Sequence, residues 1–212
     1  MSEQNLDKFI DGLADDLAPV KPLAHPLVRI APLFVVAAAY VVGVSYFIGL
    51  RSDIGDKFTD PSWMLETFLM GFISISAAIA SSFLSVPDMR GAKWVVAPPL
   101  TTLAIFVVWN IFRAISEGLH MPNIHFDHCM GEGMFMAAVP MTMLIFMIKR
   151  GATTRPRITC FMNILTASSL GYIGLRFTCS LDTVGHATVS HLIPYVVIGA
   201  FLGAAAKKLY KW

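Results

Sequence analysis

Long apolar runs separated by short polar stretches organise this chain. Six of them qualify as, or come close to, the length needed to cross hydrocarbon: Ile30–Leu50, Trp63–Val86, Trp94–Phe112, Gly131–Ile148, Ile158–Phe177 and Ala187–Ala206. A spanning helix needs about 20 mostly apolar residues. The pattern predicts an all-α polytopic membrane protein, a bundle of six transmembrane helices. Ahead of the first run the periodicity changes. Leu6, Phe9, Ile10, Leu13 and Leu17 recur at three- and four-residue steps, one apolar stripe on a helix of roughly Asn5–Leu17. Pro19 and Pro22 stop it. The chain therefore divides into an arm (1–29), a six-helix domain (30–206) and a short tail (207–212).

Composition strengthens this reading. The chain has 212 residues, 56% hydrophobic and 14% charged, with a mean hydropathy of +0.65. A soluble domain carries roughly a quarter charged residues. The first 29 residues are polar and acidic rather than basic and then apolar, so no cleavable signal peptide is expected and the first span acts as the insertion signal.

Basic residues set the orientation. The arm, the 87–93 and 149–157 loops and the tail hold Lys8, Lys21, Arg29, Arg90, Lys93, Lys149, Arg150, Arg155, Arg157, Lys207, Lys208 and Lys211. The opposite loops hold only Arg51, Lys57, Arg113 and Arg176. Both termini are expected in the cytoplasm, with loops 51–62, 113–130 and 177–186 outside. The net charge of +2 is juxtamembrane anchoring and leaves no footprint for direct nucleic-acid binding.

The arm is acidic. Glu3, Asp7, Asp11, Asp15 and Asp16 face Lys8 alone. Helices that lie on anionic bilayers carry Lys and Arg instead. An apolar stripe of Leu6, Phe9, Ile10, Leu13 and Leu17, flanked by Asp11 and Asp15, suits a protein partner with an apolar groove and a basic rim. So short a helix is marginal alone in water, so it should order on binding.

Within the spans, chemistry is sparse. Glu66 and Glu132 lie near the outward ends of their spans, and Asn110 and Asn163 are deeper polar groups suited to bridging helices. Gly199-x-x-x-Gly203 and the serines 74, 76, 81, 82 and 85 provide small faces, for packing within the bundle or for a homodimer. Pro32, Pro140 and Pro194 imply kinks. Methionines gather between Met121 and Met147, an arrangement that serves adaptable packing more often than Cu(I).

The outward loops hold the reactive groups. His120, His125, Asp127, His128 and Cys129 lie in or beside one, and Cys179, Asp182, His186 and His191 in or beside another. Cysteine, histidine and carboxylate together can make a zinc-class or soft-metal site, and Cys129, Cys179, His128, His186 and His191 are the candidate ligands. The spacing matches no strong zinc motif. His186 and His191 are five apart, off the one-face spacing of an α-helix. Cys160 lies on the same span as Cys179 but about 28 Å away along its axis, beyond the roughly 7 Å reach of a disulfide. Cys129 and Cys179 are the only pair that depth allows, in a compartment where disulfides persist.

From Cys129 onward the chain resembles the NrsF-type membrane anti-sigma factors, six-span bacterial inner-membrane proteins. The residues that carry the resemblance are Cys129-Met-Gly-Glu-Gly-Met, Pro140, Arg150-Gly-Ala-x-x-Arg155-Pro156, Gly171-Tyr172 and Cys179-x-x-Asp182 followed by His186 and His191. The arm, Leu6-x-x-Phe9-Ile10-x-x-Leu13 with Leu17-x-Pro19-Val20, is similar as well. Ser180 departs from the proline that the family often has there. The resemblance implies a non-enzymatic regulator whose arm holds an extracytoplasmic-function sigma factor at the membrane. It also implies that two outward cysteines, Cys129 and Cys179, sense redox or heavy-metal stress and release it. No cofactor is expected beyond a transient soft metal at that pair. The competing reading is an inner-membrane transporter or channel for a metal or small solute, with the histidines as its vestibule. It needs a polar path through the spans, which the sequence lacks. A thiol oxidoreductase would need a Cys-x-x-Cys pair or cofactor ligands, also lacking.

Overall fold

The computed structural model describes residues 3–15, 23–87, 91–118 and 128–211, with backbone alone at residues 3–6, 14, 15 and 93. The described residues are helical, without strands. An amphipathic helix, α1 (Glu3–Asp15), begins two residues before the expected start. It is followed by α2 (Pro26–Ile48), the single turn α3 (Ile54–Lys57) and α4 (Pro61–Leu84). A 3₁₀ turn at Lys93–Val96 leads into α5 (Ala97–Glu117), then come α6 (His128–Lys149) and α7 (Pro156–Thr178). The last span is composite: α8 (Val184–His186), a π-helical turn (Ala187–Leu192) and α9 (Ile193–Leu209).

Proline sets several of the starts. Pro26, Pro61, Pro98 and Pro156 occupy the first or second helical position, where a missing N–H costs nothing and φ is already helical. Side chains complete some caps: Asp60 accepts from the amides of Ser62 and Trp63 at 3.0 and 3.3 Å. Six helices are long and apolar enough to cross a membrane, as the hydropathy pattern anticipates.

The helices alternate in direction, giving the bundle two ends. One carries the start of α2 and the end of α9, and the other carries Cys129 and Cys179. Two helices make the centre: 72% of the apolar window of α7 is buried and 56% of that of α4, against 17% for α2. Their shared core is Leu69, Met70, Ile73, Ala77, Met162, Leu165 and Tyr172. The outer helices turn large apolar side chains outward, Phe47, Val42, Phe201 and Ile115 among them. A surface this apolar suits hydrocarbon.

Buried polar groups tie helices together. Ser74 donates to the Thr166 carbonyl at 3.2 Å and Ser82 to that of Pro26 at 2.8 Å. Asn163 bridges as expected, accepting from Ser81 and donating to Tyr210 at 2.7 Å. One expectation is corrected. Among the described residues Asn110 bonds only within its own helix, its amide donating to the Phe106 carbonyl one turn back. Ser76 likewise donates within its own helix. In the Gly-x-x-x-Gly pair only Gly199 lies against a neighbour, Ile164, while Gly203 faces open space. Cys160 is fully buried in the cluster around Leu144 and Ile148, as a packing residue.

Candidate functional site: a thiol–imidazole cluster at one end of the bundle

Four side chains from three stretches of the chain meet at the thiol end. Cys129 is the second residue of α6, Cys179 caps the C-terminus of α7, His186 precedes the π-helical turn and His191 lies within it. One ligand atom from each lies within 4.8 Å of the other three. Cys179, His186 and His191 are buried and Cys129 is half-buried. No disulfide joins the two sulfurs. The Cys179 sulfur is 3.4 Å from His186 Nε2, and His186 Nδ1 is 3.5 Å from the Ser190 hydroxyl. The Cys129 thiol, and beyond it His191, hold the Cys179 thiol well below its usual range, against the opposing effect of burial.

The π-turn corrects the reading of His186 and His191 as residues on different faces. An α-helix places residues five apart well out of line, but a π-turn closes i→i+5 hydrogen bonds and aligns them. Here the Ile193 amide bonds to the Thr188 carbonyl, five residues back. The imidazole centroids lie 5.0 Å apart, edge to face. Pro194 accounts for the local register. It has no N–H to give to the Ser190 carbonyl, and its ring would crowd that oxygen in an ordinary α-turn. Among the described residues neither ring nitrogen of His191 has a partner at hydrogen-bond distance, although the ring lies close enough to the Cys179 sulfur to act on its charge.

A cage of arginines fixes the segment between Cys179 and His186. Arg51 donates its amide to the Phe177 carbonyl at 2.9 Å and its guanidinium to the Cys179 carbonyl at 2.8 Å. It also pairs with Asp182 at 2.7 Å. Lys57 and Arg176 reach Asp182 at 2.8 and 3.2 Å. Burial would raise the Asp182 carboxyl, but the hydrogen bonds from Arg51 and Lys57 and the charge of Arg176 outweigh it and hold it at about 2. Thr183 accepts from the His186 amide and starts the last span.

The cage continues inward to Glu66, which is fully buried. Glu66 pairs with Arg113 of α5 and, at 3.4 Å, with Arg176 of α7, and it accepts from Trp109 and Tyr172 at 3.2 Å. This connected charge network had no counterpart in the sequence reading. Arg113 and Arg176 look like ordinary span-edge residues, and only the packing of α4, α5 and α7 brings them to one carboxylate.

The other candidates are dispersed. His128 is exposed and is not one of the four clustered residues; His120, His125 and Asp127 lie outside the described residues. On α1, Phe9, Ile10 and Leu13 are 62%, 52% and 56% exposed, so the stripe is uncovered, and Asp11 is exposed beside it. The side chains of Leu6 and Asp15, and all of Leu17, are outside the described residues. A family model described as NrsF, negative regulator of sigma F, matches residues 13–212. No curated protein and no solved structure matches the chain.

Proposed function

The chain belongs to the NrsF family of negative regulators of sigma F, and we propose that it is a membrane-bound anti-sigma factor that holds an extracytoplasmic-function sigma factor through its arm. In this reading it sits in the bacterial inner membrane with both termini cytoplasmic. Cys129 and Cys179 face outward and respond to oxidants or heavy metals, and their change of state lowers the affinity of the arm. The observation that carries the reading is the family match across residues 13–212, which includes both cysteines and all six apolar helices. The distribution of basic residues supports the sidedness.

The sigma-binding role of the arm rests on its own chemistry, because Leu6, Phe9, Ile10 and Asp11 precede the matched stretch. An uncovered apolar stripe bordered by carboxylates suits helix-in-groove docking against a basic partner. The test is retention of the sigma factor by the full-length chain in detergent, compared with Phe9→Asp and Leu13→Asp. Wild-type retention and its loss in both variants, with unchanged thermal unfolding of the bundle, is expected. A wild-type chain that retains no sigma factor, or variants that retain it fully, would overturn the reading.

A further inference from the structure

We propose that Cys129, Cys179, His186 and His191 form a closed four-coordinate site for a zinc-class divalent cation, and that the π-turn exists to bring His191 into it. The proposal rests on, and deepens, the reading of the thiol pair as a sensor. It names the ligand class and adds two histidines to the pair.

Geometry is the first argument. Tetrahedral zinc has bonds of about 2.3 Å to sulfur and about 2.0–2.1 Å to nitrogen, which puts a sulfur and a nitrogen about 3.5 Å apart. The Cys179 sulfur and His186 Nε2 are already 3.4 Å apart. All four donors lie within 4.8 Å of one another, so closing them on one ion needs shifts of about an ångström.

The second argument is an unmet need. His191 is buried, yet among the described residues neither ring nitrogen has a partner at hydrogen-bond distance. A buried polar group without a partner is costly. Its edge-to-face contacts with Tyr172 and His186 leave those nitrogens unsatisfied. A metal–nitrogen bond would satisfy one of them. It would also give a purpose to the π-turn, a distortion found mostly at functional sites.

Outer contacts fit the same role. Metal-bound histidines ordinarily place their second nitrogen against a hydrogen-bonding group. Ser190 stands 3.5 Å from His186 Nδ1, leaving Nε2 for the ion. The Arg51 clamp on the Cys179 carbonyl positions that sulfur before any ion arrives. The donor set chooses the metal. Two thiolates and two imidazoles favour Zn2+ and softer Cd2+ over Mg2+, Ca2+ or Mn2+. Two thiolates also neutralise the divalent charge, so a buried centre carries no net charge. Asp182, the nearby carboxylate, is engaged by Arg51, Lys57 and Arg176. With four protein ligands, no position remains for substrate water, as in structural rather than catalytic zinc sites.

The test is a Co2+ titration of the reduced, chelator-treated full-length chain in detergent micelles. One Co2+ per chain is expected, with tetrahedral ligand-field bands and thiolate charge-transfer absorption, both abolished by stoichiometric Zn2+ or Cd2+. His191→Asn and Cys179→Ser should lose the tetrahedral spectrum, and His128→Asn should keep it. Ser190→Ala should keep the spectrum and weaken binding by about 10–100-fold. An octahedral spectrum in the wild type, or a tetrahedral one that survives His191→Asn, would overturn the proposal. The wild-type result needs no variant to fold. Sigma retention, measured on the same samples with Cd2+ or a diazene-type two-electron thiol oxidant, separates the two ideas. Absent metal binding with oxidant-driven release would sink the site and leave the sensor. Metal binding with sigma retention indifferent to both agents would sink the sensor and leave the site.

Discussion

Single residues at the thiol end carry unequal weight, and burial decides which matter. Glu66 is fully enclosed between two guanidinium groups, those of Arg113 and Arg176. Removing its charge leaves two buried cations with only their outer carboxylate partners, Glu117 for Arg113 and Asp182 for Arg176. Glu66→Gln should therefore cost about 3–5 kcal/mol of bundle stability. Glu117, the half-exposed partner of Arg113 at 2.7 Å, is screened by solvent, and Glu117→Gln should cost less than about 1 kcal/mol. Equilibrium unfolding in mixed micelles measures both, and similar losses would contradict the account. Glycine acts by a different mechanism. A Cβ on Gly171 would overlap the Tyr195 hydroxyl and lie 2.9 Å from the Gly133 carbonyl. Gly171→Ala should destabilise by about 1–3 kcal/mol through overpacking. Adding Tyr195→Phe should recover part of that loss by removing the oxygen in the way. Gly203→Ala, which meets nothing within 4 Å, should be close to neutral in the same assay.

Between residue and molecule, the loop joining α7 to the last span behaves as one clamped unit. Asp182 holds it through Arg51, Lys57 and Arg176, and its carboxyl lies near 2 instead of the ordinary 3.8. A depressed carboxyl stabilises the clamp above about pH 3.8, and the benefit fades as pH falls toward 2. Protection factors of residues 177–186, corrected for the pH dependence of intrinsic exchange, should fall over that window, and Asp182→Asn should show the reduced protection already at neutral pH. Exchange unchanged by the substitution would mean that Arg51 holds the backbone carbonyls unaided. Elements also show what one sequence can disclose. The apolar runs and the prolines before them made the six long helices legible, because both signals are local. The matching depth of Cys129 and Cys179 was legible too, since it follows from counting residues along spans. The histidine pair was not, because a five-residue spacing misleads unless the helix changes register. Pro194 was the available clue. The Glu66 network was not legible either, because its arginines come from helices whose pairing no local pattern encodes.

At the scale of the whole molecule the two ends are about 34 Å apart along the axis of α7, and any regulation must pass through elements that reach both. The helix α6 is one such element. Cys129 lies in its first turn and Met147 in its last, and the Met147 carbonyl accepts from Arg29 at 2.8 Å. Arg29 sits in the first turn of α2, the helix that follows the arm, and also holds Ser85 of the α4–α5 connection at 3.0 Å. Arg29 thus gives the proposed sensor a physical route from α6 to the start of α2. Linkage makes the consequence testable. If Cd2+ at the thiol end lowers sigma affinity tenfold, a coupling of about 1.4 kcal/mol, then bound sigma factor must lower Cd2+ affinity tenfold. Paired titrations should give the same factor in both directions, and unequal factors would show that Cd2+ acts at a different site. Arg29→Gln removes the charged grip on Met147 but touches neither the cysteines nor the apolar stripe of the arm. It should leave each affinity nearly intact when measured alone and bring the coupling factor toward one. A coupling that survives Arg29→Gln undiminished would shift attention to α9, which joins His191 to Tyr210 and, through Asn163, to Ser81 of α4.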